Sequence, residues 1–343
     1  MVVLNPTSRD IAEAAGVSQA TVSRALRDSP LVRPETRDRI RRIARELNYF
    51  VNRNAAGLRT RHSNTIALLL FDEMGDDQSQ INPFFLAMLG SIAQSAAGLG
   101  YDVLISIQQL SDDWHIQYQA SNRADGIILL GYGDYLQYRE KLSALADANT
   151  HFIIWGPVVD DQPGHFLGCD NESGGYQATA HLAGLGRKRI AYLGGISQRS
   201  PEPQLRYLGY QRALKETGLR QNPRLRADAD TNETSGYRAA RVLIDSGEEF
   251  DAIFAASDTI AIGAIQALKD ADIRIPEDVA IVGFDDLPRA AYISPALTTI
   301  RQDVRSAGTL LVRNLVKLID GEEIESTVML PKLIIRESCG IVS

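Results

Sequence analysis

Cysteine is nearly absent: Cys169 and Cys339 are the only two in 343 residues. That is too few for a disulfide scaffold, and without metal-ligand spacing each is expected to be a buried thiol. No continuous apolar run long enough for a signal-peptide core or a membrane span is present, and charged residues begin at Arg9. A cytoplasmic chain with no membrane partner is the expectation. The familiar marks of nucleotide and hydrolytic chemistry are also missing. "GYGDY" after Leu130 lacks a third glycine, "LGGIS" lacks a phosphate-loop lysine, and neither a Gly-x-Ser-x-Gly elbow nor a His-Glu-x-x-His pair occurs. His62, His115, His151, His165 and His181 form no ligand cluster. No catalytic residue, metal or cofactor is therefore expected.

What is present is unevenly distributed. Residues 1–62 hold 12 Lys or Arg against 6 Asp or Glu, whereas the remainder holds 24 against 37. A small basic head on a large acidic body can bind a polyanion through the head while the body repels it. The length suits two domains or a little more.

The head reads as three short helices. Thr7 or Ser8 can cap the first, whose apolar side is Ile11, Ala12 and Ala15, with Val17 in the turn after Gly16. Ser18 can cap a second over Gln19–Leu26, with Val22, Ala25 and Leu26 inward and Gln19, Ala20, Ser23 and Arg24 outward. A third, over Pro34–Leu47, places Ile40, Ile43, Ala44 and Leu47 inward and several arginines outward. Two short helices joined through a glycine turn form a helix-turn-helix, whose second helix fits the major groove and reads base edges with short polar side chains.

From "TIALLLFD" the rhythm changes. Apolar runs at 66–71, 102–107, 126–130, 151–155, 189–193, 252–255 and 279–282 alternate with helix-length stretches, the pattern of parallel α/β units with both sheet faces covered. Length and count point to two lobes.

The stretch "TSRDIAEAAGVSQATVSR", continued by "VRPETRDRIRRIARELNY", resembles the DNA-binding head of the lactose-repressor and galactose-repressor family of transcription regulators. "NPFF" at Asn82, "CDNESGGYQATAHLAGLGRKRIAYLGG" at Cys169, "FAASDTIAIGAIQALKDADIRIPEDVAIVGFDD" at Phe254 and "LTTIRQD" at Leu297 extend the likeness over essentially the whole chain. The resemblance implies an all-α helix-turn-helix head with a hinge helix, joined to an α/β periplasmic-binding-protein-like body of two parallel-sheet lobes. The expected divisions are 1–50 for the head, 51–63 for the hinge, 64–168 plus 300–330 for the first lobe, and 169–299 plus 331–343 for the second.

By the same resemblance Gln19, Ala20 and Arg24 choose the operator sequence. Thr7, Ser18, Thr21, Ser23, Tyr49 and Asn52 face the DNA backbone, and Leu58 wedges into the minor groove. The hinge departs from the family at Val51, where proline is usual, and at Ala56 and Gly57, where Arg-Ser is common. A glycine and fewer donors raise the cost of ordering it, so weak or strongly effector-sensitive operator affinity is expected.

The effector cleft is expected at strand C-termini. Its candidates are Asp72, Glu73, Phe84, Trp155, Arg206, Asp258 and Asp285. Carboxylates and an arginine suit vicinal hydroxyls, and aromatic rings suit the apolar face of a neutral sugar. Trp155 replaces a usual polar contact and is read as a stacking surface; with Trp114 and Tyr132 it suits a disaccharide or aryl glycoside. Asp258 equally suits a helix cap, and Phe85 equally suits the core. On the helix after Asn82, Phe85, Met88, Leu89 and Ile92 exceed what one lobe shields; by the resemblance such a helix contributes to a homodimer through the first lobe. The expected partners are operator DNA, a sugar and a second copy. Release of a carbohydrate-gene repressor by its sugar is the favoured sign. A corepressor-requiring repressor, a sugar-binding protein, and a glycoside hydrolase built on Glu73 and Asp285 are the alternatives.

Overall fold

In the computed structural model, residues 6–49, 62–71, 81–108, 118–119, 121–131, 135–158, 162–196 and 201–340 are described. The chain forms two compact units, Met1–Ser63 and Asn64–Ser343.

Among the described residues, the first unit has three helices: α1 (Ser8–Ala15), α2 (Gln19–Leu26) and α3 (Pro34–Glu46). Thr7 caps α1 reciprocally: its hydroxyl accepts from the Asp10 amide, and the Asp10 carboxylate accepts from the Thr7 amide at 2.7 Å. The Thr7 hydroxyl also donates to the Asp10 carboxylate at 2.7 Å, and this bond, with that from the Thr7 amide, holds the Asp10 carboxyl below its ordinary pKa. Gly16 ends the helix at φ 63°, a left-handed position that glycine occupies without strain. Ser18 caps α2 by accepting from the Thr21 amide at 3.1 Å, and Pro34 opens α3, where a missing amide costs nothing. Ile11, Val22, Ala25, Val32, Ile40 and Ala44 form the small core.

The second unit contains two six-stranded sheets. The first has the order β11-β5-β4-β3-β1-β2, from β1 (Thr65–Phe71), β2 (Asp102–Gln108), β3 (Gly126–Leu130), β4 (Phe152–Trp155), β5 (His165–Cys169) and β11 (Thr327–Met329). All its pairings are parallel. The second has the order β12-β10-β9-β8-β6-β7, from β6 (Ile190–Leu193), β7 (Arg226–Ala227), β8 (Ala252–Ala255), β9 (Ala280–Asp285), β10 (Thr298–Arg301) and the antiparallel β12 (Lys332–Ile334). β3, β4, β8 and β9 are buried along their whole length, as strands covered on both faces must be. The chain passes between the sheets three times: after β5, after β10 and between β11 and β12.

Helices cross where side chains are minimal. α6 (Asn171–Gly184) meets α7 (Pro201–Glu216) with Gly175 against the Arg206 carbonyl and Gly209 against the Glu172 carbonyl; a Cβ would stand 2.1 and 2.0 Å from those oxygens. α8 (Glu233–Asp245) meets α9 (Asp258–Asp270) the same way, through Gly236 at the Ile260 carbonyl and Gly263 at the Glu233 carbonyl. α4 (Pro83–Gly98) meets α10 (Val304–Ile319) at Gly308 and Ser91, whose hydroxyl donates to the Arg305 carbonyl at 2.7 Å. A further helix, α5 (Tyr135–Asp147), follows β3.

The α4–α10 crossing corrects the reading of α4 as over-supplied with apolar residues. Met88 and Ile92 are fully buried within the first lobe, in one cluster with Leu311, Val312 and Leu315 of α10. A segment more than two hundred residues later covers them, a fact no local pattern shows. Phe85 and Leu89 pack on the same cluster, and Leu86 is the exposed large apolar residue of the helix.

Candidate functional site

In the first unit, the outer face of α2 presents what the sequence placed there. Gln19, Ala20 and Arg24 are exposed, and Thr21 and Ser23 are half-buried. Ser18 and Thr21 share a hydroxyl–hydroxyl bond at 2.9 Å. Arg27, which sequence reasoning missed, donates from Nη2 to the Ser23 hydroxyl at 2.7 Å and from Nε to the Ser23 carbonyl at 3.1 Å. It adds a cation beside the polar face at the i, i+4 spacing that could have revealed it. Tyr49 is half-buried against the three-helix core. Thr7 and Ser18 both double as helix caps. Asn52 and Leu58, with Val51, Ala56 and Gly57, lie outside the described residues.

In the second unit, polar side chains gather at the C-terminal ends of β8, β9 and β10, the place where open α/β sheets hold ligands. Arg206, on α7, is 6% exposed. Its Nε donates to Asn171 Oδ1 at 2.8 Å, its Nη1 donates to the Ala256 carbonyl, and its guanidinium lies 3.8 Å from the Phe284 ring centroid. Nη2 stands 3.9 Å from Asp285 Oδ1. That same oxygen accepts from Gln302 Nε2 at 2.7 Å. Burial pushes the Asp285 carboxyl up to about 6, while Arg206 and Gln302 pull the other way. Gln302 is itself buried; it sits inside the "LTTIRQD" stretch, yet only its tertiary partner marks it as part of the site. Asn171 reaches back to the Cys169 carbonyl at 3.0 Å, so the Arg206 fork is fixed from two sides.

Asp258 is placed differently from its sequence reading. Ser257, not Asp258, caps α9, accepting from the Ile260 amide at 3.2 Å. The Asp258 carboxylate is fully buried and accepts from the Leu287 amide at 2.7 Å and the Thr299 hydroxyl at 2.5 Å. It orders the turn after Asp285 rather than facing an opening. Burial, with neighbouring Asp285 next, pushes its pKa well above the ordinary carboxylate range.

On the first lobe, Phe84, Phe85 and Trp155 make an aromatic wall. Phe84 meets Phe85 edge-on at 5.5 Å and Trp155 at 5.9 Å. The Phe85 ring covers Gly131, where a Cβ would stand 2.6 Å from it. Trp155 was expected as an open stacking face; it is 5% exposed, because Phe84 of α4 lies against it. Leu287 joins the same cluster as Phe84, Trp155 and Cys169. The Cys169 thiol, pushed up to about 12 chiefly by burial, also feels Arg206 and Asp285. The wall and the polar group therefore border one interlobe region. Asp72, Glu73, Trp114 and Tyr132 lie outside the described residues.

Among the described residues no group of three or more His, Cys, Asp or Glu could hold a metal ion, and no helix is long and apolar enough to cross a membrane.

A model of bacterial regulatory proteins, lacI family, matches residues 7–52, and a model of a periplasmic binding protein-like domain matches residues 179–339. The HTH-type transcriptional regulator CelR of Thermobifida fusca is 32% identical, over 97% of this chain and 98% of its own. The HTH-type transcriptional regulator AscG of Escherichia coli (strain K12) is 30% identical, over 92% of each chain. Among solved structures, a transcriptional regulator CelR–cellobiose complex is 30% identical with a TM-score of 0.72, covering 97% of this chain and 100% of its own. The lac repressor dimer bound to operator and the anti-inducer ONPF is 25% identical with a TM-score of 0.85, covering 98% and 99%.

Proposed function

We propose, from the premise that this chain belongs to the lacI family of bacterial regulatory proteins, a division of labour in which α2 reads an operator and the interlobe region binds a neutral sugar that controls the reading. The chain is a DNA-binding transcriptional regulator and not an enzyme. Gln19, Ala20 and Arg24 contact base edges, with Ser18, Thr21, Ser23 and Arg27 on the flanking phosphates. Two copies, joined through the first lobe, place two α2 helices on the halves of a palindrome.

The buried constellation of Arg206, Asp285, Gln302 and Asn171 carries the effector reading. A guanidinium and a carboxylate held side by side offer paired donors and acceptors matched to vicinal hydroxyls. Phe85, half-buried on the cluster that Phe84 and Trp155 form, offers the apolar complement to sugar C–H groups. The relative solved with cellobiose makes a β-linked disaccharide the first class to test. Sugar binding favours one lobe arrangement, and the difference in affinity between arrangements sets how far operator binding shifts.

The test is isothermal titration of the full chain with cellobiose, D-glucose and D-ribose. Micromolar binding of one sugar, lost in Asp285→Asn, supports the reading. Binding that survives both Asp285→Asn and Arg206→Lys would place the effector elsewhere.

A further inference from the structure

Three consecutive residues at the C-terminal end of the second-sheet strand β9, Asp285 to Leu287, are each anchored by a different element. Asp285 accepts from Gln302 at 2.7 Å. Asp286 accepts from Arg301 Nε and from Arg336 Nη2, each at 2.6 Å. The Leu287 amide donates to Asp258 at 2.7 Å. Asp285 and Asp286 both have positive φ, 117° and 59°, conformations that persist in residues with a Cβ only where the surroundings impose them. The anchors impose them.

The placement of the anchors matters more than their number. Gln302 and Arg301 are adjacent, at the point where the chain leaves β10 for the first lobe. Arg336 follows β12, just beyond another crossing, and is itself fixed by donating to the Leu297 carbonyl at 2.8 Å. Two neighbouring acids thus pair with two neighbouring crossover residues, and the second acid also holds the chain beyond the next crossover. The Leu287 side chain, meanwhile, packs in the first-lobe cluster with Trp155. The turn therefore touches both lobes and grips the segments that join them.

We propose that Asp286 is a positioning residue and that the turn Asp285–Leu287 is the pivot about which the lobes move, with the Arg301–Asp286–Arg336 triad as its bearing. Both Asp286 oxygens are engaged by arginines, so the triad stays closed while Asp285 and Gln302 exchange partners. The pivot makes the lobes move as rigid bodies along one path rather than loosely. Its consequence for regulation rests on the reading of Asp285 as an effector contact; the pivot itself does not.

The experiment measures interlobe distance by double electron–electron resonance in the full chain without ligand. Spin labels go on Glu140→Cys in the first lobe and Lys215→Cys in the second, both exposed positions, diluted with unlabelled chain; the native cysteines are buried. The expected result is a distance distribution at least twofold broader in Asp286→Asn and in Arg301→Gln than in the parent. Asp278→Asn, which breaks the exposed Asp278–Arg274 pair, leaves it unchanged. A lowered melting temperature with an unchanged distribution would reduce Asp286 to a stabilising residue and overturn the pivot. Should Asp286→Asn not fold, Arg301→Gln decides alone, since Arg301 is half-exposed. The readout needs no sugar, so a chain that fails to bind cellobiose counts against the effector reading and leaves this result standing.

Discussion

Arg206 and Asp285 stand with Nη2 and Oδ1 3.9 Å apart, and each is only 6% exposed. The pair is out of water, so its attraction is offset by the cost of desolvating both ions, and removing one partner is far worse than removing both. Arg206 also donates to the Ala256 carbonyl and to Asn171, and Asp285 accepts from Gln302, so each charge has partners besides the other.

Arg206→Ala is expected to destabilise the second unit by about 3–5 kcal/mol, the range for stranding a buried charge. Arg206→Ala with Asp285→Ala together should cost less than the first alone. Chemical denaturation of the single and double variants checks the order.

Acidification gives a signed prediction. The Asp285 pKa is raised to about 6 by burial, so the folded chain holds this proton more tightly than the unfolded one. The stability it contributes is fully present below the ordinary carboxylate range and is lost as pH rises through about 6. Asp258 is shifted the same way. Asp285→Asn should therefore flatten, but not abolish, the fall in unfolding free energy between pH 4 and pH 7. If the carboxylate form accepts from sugar hydroxyls, affinity should drop by about tenfold from pH 7 to pH 5, one pH unit below its midpoint. Titration calorimetry at the two pH values measures this.

The glycine crossings separate geometry from propensity. Gly175→Ala forces a methyl to 2.1 Å from the Arg206 carbonyl, prising α7 from α6 and moving Arg206, the proposed effector contact. It should cost several kcal/mol, within the range for overpacking and above, and weaken sugar binding. Gly90→Ala meets nothing within 4 Å inside α4, and should stabilise by roughly 0.5–1 kcal/mol. Thermal melts of both variants decide whether close approach or helix propensity governs.

What the sequence made legible was local. Thr7 with Asp10, Gly16 and Ser18 are cap chemistry written within four residues, so the three-helix head reads directly. The short apolar runs read as strands because both sheet faces are covered. Met88 and Ile92 look surplus until α10 covers them, and Trp155 looks open until Phe84 lies on it. Gln302 is an ordinary polar residue until Asp285 is beside it. Each of these depends on a partner tens to hundreds of residues away, and periodicity carries no information about such partners.

In the head, Thr7→Ala removes a two-way cap and should cost about 1 kcal/mol of head stability, with operator affinity falling equally on all sequences. Arg24→Ala should instead cost about 1–3 kcal/mol on the preferred operator and relax its sequence preference. Competition binding against a library of half-sites distinguishes the two.

The most direct measurement is a fluorescence-anisotropy titration at fixed salt on the DNA upstream of the chain's own gene, with and without cellobiose and a panel of monosaccharides. The expected result is tight binding to a palindromic site, weakened at least tenfold by one sugar in the parent chain and unaffected by that sugar in Asp285→Asn. Tight binding that no sugar changes would contradict the control of the operator-reading head by a sugar held at Arg206 and Asp285.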